Sequence, residues 1–174
     1  MKIQKNKLKG FTLIELLVVV AIIGLLASVV LMSLNTARSK ARDTERKETI
    51  RQIQTALEMY YNVNGQYPSS GGALVPNGSW SNSGNASWNT LQTDLKPYLP
   101  KLAKDPRDNA TWIAFSYSYF SHGYGCPRGW YMLVYSLENA GGPDNGVVAC
   151  DGTLFRYGGL GVNTSVKTVG SKSK

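Results

Sequence analysis

Apolar residues follow two different patterns along this chain. From Phe11 to Leu34 the sequence reads FTLIELLVVVAIIGLLASVVLMSL, 24 residues with Glu15 as the single charge. Coiled as an α-helix, such a run rises ~36 Å, more than the ~30 Å hydrocarbon thickness of a bilayer. Beyond it the pattern stays helical but changes character. Residues 35–49, NTARSKARDTERKET, are rich in charge and in good helix formers. Ile50, Ile53, Leu57 and Tyr60 then recur at spacings of three and four, with Ala56 and Tyr61 widening the stripe. The pattern predicts one helix from about residue 11 to about 62, apolar all round at first and amphipathic at its end. Most charges of its middle read as a solvated face. Asn64-Gly65 supplies the stop, glycine taking the left-handed cap position.

After the helix the period changes. Residues 69–87 are rich in Ser, Gly and Asn and read as an exposed loop. A short helix is expected over about 88–97, ending near Pro97 or Pro100. Two aromatic, partly alternating runs, 112–121 (WIAFSYSYFS) and 129–138 (GWYMLVYSLE), read as strands. Short strands near 147–150 and 153–157 complete the set, and the Gly-rich end from 158 to 174 reads as frayed. The fold class is therefore α+β: a long N-terminal α-helix (about 11–62) packed on a C-terminal antiparallel sheet of about four strands.

Composition adds limits rather than direction. Of the 174 residues, 43% are apolar and 17% charged, which excludes a disordered chain and allows one domain with a core. The formal charge of +8 invites an anionic partner, but Lys2, Lys5, Lys7 and Lys9 all precede the apolar run. Without residues 1–10 the charge is +4, ordinary for a solvated surface, so nucleic acid is not an expected partner. The same lysines would hold their end of the helix on the cytoplasmic side and place the later domain outside.

Three processing routes compete for such a run. A secretory signal peptide has an apolar core of ~7–15 residues and a small-residue cleavage site behind it, and this run is too long. An ordinary signal anchor fits the length but leaves Glu15 unexplained, because an unpaired carboxylate one turn into an apolar helix is costly. The third route explains the glutamate. Lys9-Gly10-Phe11-Thr12-Leu13-Ile14-Glu15 resembles the class III leader of type IV pilins and pseudopilins, and the likeness continues through Leu16–Leu26, including Gly24.

The resemblance implies a set of expectations. A membrane aspartyl peptidase, the prepilin peptidase, cuts between Gly10 and Phe11 and methylates the new amine of Phe11. Residues 1–10 are then a leader, 11–34 the membrane and polymerisation half of the helix, and 35–174 the globular head. Glu15 is the assembly residue. A buried ion pair adds little net stability, whereas an unmatched partner costs ~3–5 kcal/mol. A Glu15 meeting the Phe11 ammonium of a neighbouring copy thus works as a register device. The implied partners are further copies of the chain, a membrane platform protein and, indirectly, an assembly ATPase. The implied location is the cytoplasmic membrane, with the head outside, and then a filament at the cell surface or in the periplasm. Tyr60-Tyr61-x-x-Asn64-Gly65-x-Tyr67-Pro68 and Lys104-Asp105-Pro106 are similar to the same family. Two departures stand out: Met32 lies where many members carry a helix proline, and Arg107 where a Trp often follows.

Few residues suggest chemistry beyond assembly. Cys126 and Cys150, an even pair behind an export-type N-terminus, read as one disulfide, against two reduced buried thiols as the alternative. His122, the single histidine, has no nucleophile motif around it, so no enzyme is expected. Major pseudopilins bind calcium in a C-terminal loop. Glu138, Asp144 and Asp151 are the candidates here, although an oxygen cage needs ~6–8 ligands and these turns are not densely acidic. A filament subunit is the leading function. A membrane-anchored binding domain that stays monomeric and a DNA-uptake pilin are the alternatives.

Overall fold

The computed structural model describes residues 10–71, 79–107, 115–158 and 165–171. The basic leader up to Lys9, the start of the expected strand at 112–114 and the Lys-Ser-Lys end lie outside the described residues.

Helix α1 runs Leu13–Asn64, 52 residues without a break at Gly24, Ser28 or Met32. The chain divides into two compact units between Arg38 and Ser39, and α1 contributes to both. In the first unit every described residue, 10–38, is exposed. This half is long and apolar enough to cross a membrane. The helix stops where the sequence places its cap: Gly65 has φ +66° and donates its N–H to the Tyr61 carbonyl at 2.8 Å.

The second unit carries β1 (Ser81–Asn82), α2 (Ser87–Leu95), β2 (Ser118–Phe120), β3 (Met132–Ser136), β4 (Val147–Val148), β5 (Leu154–Phe155) and β6 (Val166–Gly170). One antiparallel sheet has the order β1-β2-β3-β6, with Tyr119 opposite Leu133 and Leu133 opposite Val169. Strands β4 and β5 form a separate two-stranded ribbon, Val147 opposite Phe155 and Val148 opposite Leu154. Alternation sorts the side chains of the large sheet into two cores. Tyr117, Tyr119, Tyr131, Leu133 and Tyr135 pack with Ile50, Ile53, Ala56 and Leu57 of α1 and with Trp88, Leu91 and Leu95 of α2. Trp130, Met132, Val147 and Ala149 form the opposite core, with Trp80, Phe120 and Phe155 against it. The predicted stripe on α1 is therefore the face that meets the sheet.

The strand expectations need three corrections. The Ser/Gly/Asn stretch is not all loop, because β1 lies within it and Ser70, Ser81, Asn82 and Ser83 are buried. Side-chain hydrogen bonds satisfy these polar groups: the Asn82 amide donates to the hydroxyls of Ser116 and Ser118, and the hydroxyls of Ser70, Ser81 and Ser83 accept the backbone N–H groups of Ser121, Gly71 and Tyr117. Nor is the C-terminal stretch all frayed, since β6 pairs with β3 along five residues. Finally, the 147 and 154 segments do not join the main sheet. The outer strands of that sheet, β1 and β6, lie instead in the Ser/Gly/Asn stretch and in the Gly-rich C-terminal end.

Candidate assembly site

The N-terminal turn of α1 is closed by two residues from the leader-like motif. Thr12 donates its backbone N–H and its hydroxyl to the same carboxylate oxygen of Glu15, each at 2.8 Å. The Glu15 N–H donates back to the Thr12 hydroxyl at 3.2 Å. This is a reciprocal capping box, which satisfies two amides that a helix start otherwise leaves open. Gly10 and Phe11 lie just outside the helix, both exposed. The Thr-x-x-Glu spacing was visible in the sequence, and Thr12 is the residue that the reading of Glu15 alone overlooked.

The head contains a second polar constellation, built on Arg46, which has no exposed surface. Its guanidinium donates to both oxygens of Asp105, at 2.7 and 3.0 Å, and to Asp43 and Glu138, each at 2.8 Å. Arg42 forks onto Glu138 with two bonds of 2.6 Å. Asp43 accepts the backbone N–H groups of Glu138 and Asn139 and the Asn139 side-chain amide. The network thus ties the start of the head's helix to the loop after β3 and to the segment before β2. Hydrogen bonds from Arg42, with further ones from Arg46, outweigh burial and hold the Glu138 carboxyl down to about 2. Burial pushes Asp43 up, but the Glu138 and Asn139 donors leave it below its ordinary value. Burial alone would weaken the Arg46 cation; its three carboxylate partners instead raise its pKa. The charged middle of α1 is accordingly not all solvated face, since Asp43 and Arg46 are buried.

The calcium candidates are not brought together. Glu138 is engaged by Arg42, Arg46 and, at 3.5 Å, Arg107. Asp144 is buried and accepts from Thr168 N–H, the Thr168 hydroxyl and Gly158 N–H, each at 2.8 Å. Asp151 is exposed and accepts from Thr153 N–H. Among the described residues no three metal-ligating side chains gather into a cluster. Cys126 and Cys150 are bonded to each other and pin the β4–β5 ribbon to the β2–β3 connection. His122 sits just after β2, half-buried.

Residues 5–31 match the family described as the prokaryotic N-terminal methylation motif. Type II secretion system core protein G of Pseudomonas aeruginosa is 35% identical over 147 residues, 82% of this chain and 93% of its own. The chain belongs to the type IV pilin and pseudopilin family. The type IV wide pilus major component PilA4 of Thermus thermophilus is 38% identical over 90 residues, 52% of this chain and 69% of its own. Core protein G of Vibrio cholerae is 32% identical over 127 residues, 69% and 75% of the two chains. No solved structure matches. As a pilin-family chain with one exposed apolar N-terminal helix, the protein is a membrane-anchored structural subunit of a type IV filament.

Proposed function

We propose that the chain is made as a precursor, cut between Gly10 and Phe11 by the prepilin peptidase, methylated on Phe11 and polymerised through residues 11–34. The carrying observation is the first unit itself: an apolar helix with every described side chain exposed and a carboxylate in its first turn. Lipid covers such a surface before assembly, and the helices of other copies cover it afterwards. Residues 1–10 are the leader, and 35–174 form the head.

Glu15 sets the register. In an apolar bundle its carboxylate is stable where it meets the Phe11 ammonium of the adjacent subunit, and a wrong stagger leaves two unpaired charges at ~3–5 kcal/mol. Thr12 occupies one carboxylate oxygen and steadies the group in the helix's positive end. A membrane platform protein and, behind it, an assembly ATPase move the subunit from the cytoplasmic membrane into a filament in the periplasm or at the cell surface. The role is structural, without catalysis, in keeping with relatives that are pilus and secretion-core components.

The test is polymer recovery from the native cells. Wild-type protein is expected in the sedimentable filament fraction, and Glu15→Ala in the membrane fraction only. Equal sedimentation of the variant would remove Glu15 from assembly. Absence of wild-type polymer would favour the anchored binding domain.

A further inference from the structure

Strand β6 is an outer strand, and among the described residues only β3 pairs with it. Its register fixes which backbone groups face outwards. Leu137 donates its N–H to the Ser165 carbonyl, and Ser171 donates its N–H to the Tyr131 carbonyl. Alternation therefore engages Lys167 and Val169 with β3 and turns the backbone of Val166, Thr168 and Gly170 to the outer edge. An outer edge of this kind is a template on which a strand of another chain can pair.

A buried carboxylate sits at the middle of that edge. Asp144, 3% exposed, accepts the outward N–H of Thr168 on Oδ1 and the Thr168 hydroxyl on Oδ2, each at 2.8 Å. Gly146 N–H and Gly158 N–H donate to it at 3.2 and 2.8 Å. One side chain thus ties the approach to β4 and the segment after β5 to the edge of β6. Lys167 holds the preceding turn, donating its ammonium to the Gly142 and Pro143 carbonyls. Strand β4 then runs beside β6 without pairing to it. Val147 Cγ2 lies 3.0 Å from where a Cβ on Gly170 would stand. The cover is close but not sealed: a cavity of about 530 Å³ is lined by Asn145 and Val148 of the ribbon side and by Thr168 and Ser171 of the β6 side.

We propose that Asp144 guards the β6 edge against pairing with β6 of a second copy. The excluded partner is a second copy because two identical edges, related by a two-fold axis, are complementary to each other as antiparallel strands. An incoming strand must take the Thr168 N–H away from Asp144, and a buried carboxylate that loses donors is costly. It must also displace the β4–β5 ribbon, whose start Asp144 tethers. Sheet edges are commonly protected by an inward-pointing charge or by a covering segment, and Asp144 supplies the first and fastens the second. The inference stands independently of the cut at Gly10. Under the filament reading it leaves association to the apolar helices and keeps the heads from joining sheet to sheet.

The test is the oligomeric state of the full-length chain in detergent, which covers the apolar helix, read by light scattering during size exclusion at equal loading. Wild type and Thr168→Pro are expected to run as monomers. Asp144→Ala is expected to form dimers, with about twice the wild-type protein mass. Thr168→Pro removes the outward donor and no bond to β3, a place where an outer strand tolerates proline. The double variant, Asp144→Ala with Thr168→Pro, is therefore expected to return to the monomer. A monomeric Asp144→Ala overturns the proposal. Dimers or aggregates that persist in the double variant also overturn it, because they then arise away from the β6 edge, general unfolding of the head included. A wild-type dimer that Thr168→Pro dissolves overturns it as well, since the edge would be open with Asp144 in place.

Discussion

Asp105 meets Arg46 with both carboxylate oxygens, at 2.7 and 3.0 Å, and neither side chain is exposed at all. The pair joins two stretches 59 residues apart in sequence. Burying it confers little net stability; breaking it strands charges in the head's interior. Arg46→Leu should therefore destabilise the head by ~3–5 kcal/mol. Arg46→Lys should recover only part of this, because an ammonium cannot reproduce the forked geometry. Chemical denaturation of the full chain in detergent, followed by tryptophan fluorescence, measures both.

The same network fixes the response to acid. Glu138 is held at about 2, against an ordinary value of 4.5, and Asp43 is also depressed. A carboxyl depressed in the folded state contributes stability that is present above its ordinary value and lost as pH falls through the folded one. The urea midpoint should stay level from neutral pH down to about 4.5 and then fall steadily towards about 2. In Arg46→Leu this acid slope should be shallower. An identical slope in the two proteins would place the acid sensitivity elsewhere.

Removing the disulfide should loosen the ribbon. Replacing Cys126 and Cys150 together by Ser frees a loop of 24 residues, with an expected loss of ~3 kcal/mol. Trp130 reports on it locally, since it lies within the loop that the bridge closes and its indole N–H donates to the Gly123 carbonyl just before Cys126. Thermal unfolding with and without reductant, in wild type and double variant, checks the expectation; reductant should move only the wild type.

The helix and its apolar stripe were legible because they depend on period, and period survives in sequence. The buried network was legible in part. Asp43, Arg46, Ile50, Ile53 and Leu57 continue one stripe at spacings of three and four, so the stripe points back to two charged residues that composition assigns to solvent. What composition hides is the partner: Asp105 and Glu138 are far away in sequence. Strands β1 and β6 were illegible for a related reason. Their buried polar groups are satisfied by distant side chains, such as Ser116 and Ser118 for Asn82 and Asp144 for Thr168, and local pattern carries no trace of those partners.

Thr12 offers a graded test of the N-terminal turn. Thr12→Val removes the hydroxyl from the capping box but keeps the backbone donor to Glu15. A lost cap costs ~1 kcal/mol of helix stability. Filament yield should fall below wild type while staying above that of Glu15→Ala. A sedimentation assay on the three proteins at matched expression orders them.

The central claim is that this precursor becomes a filament subunit by losing residues 1–10. N-terminal peptide and intact mass spectrometry on protein from its own cells tests that most directly. The account predicts a chain that begins at Phe11 and is heavier by one methyl group. A mature chain that retains Lys2–Gly10, or begins beyond Leu34, would contradict it.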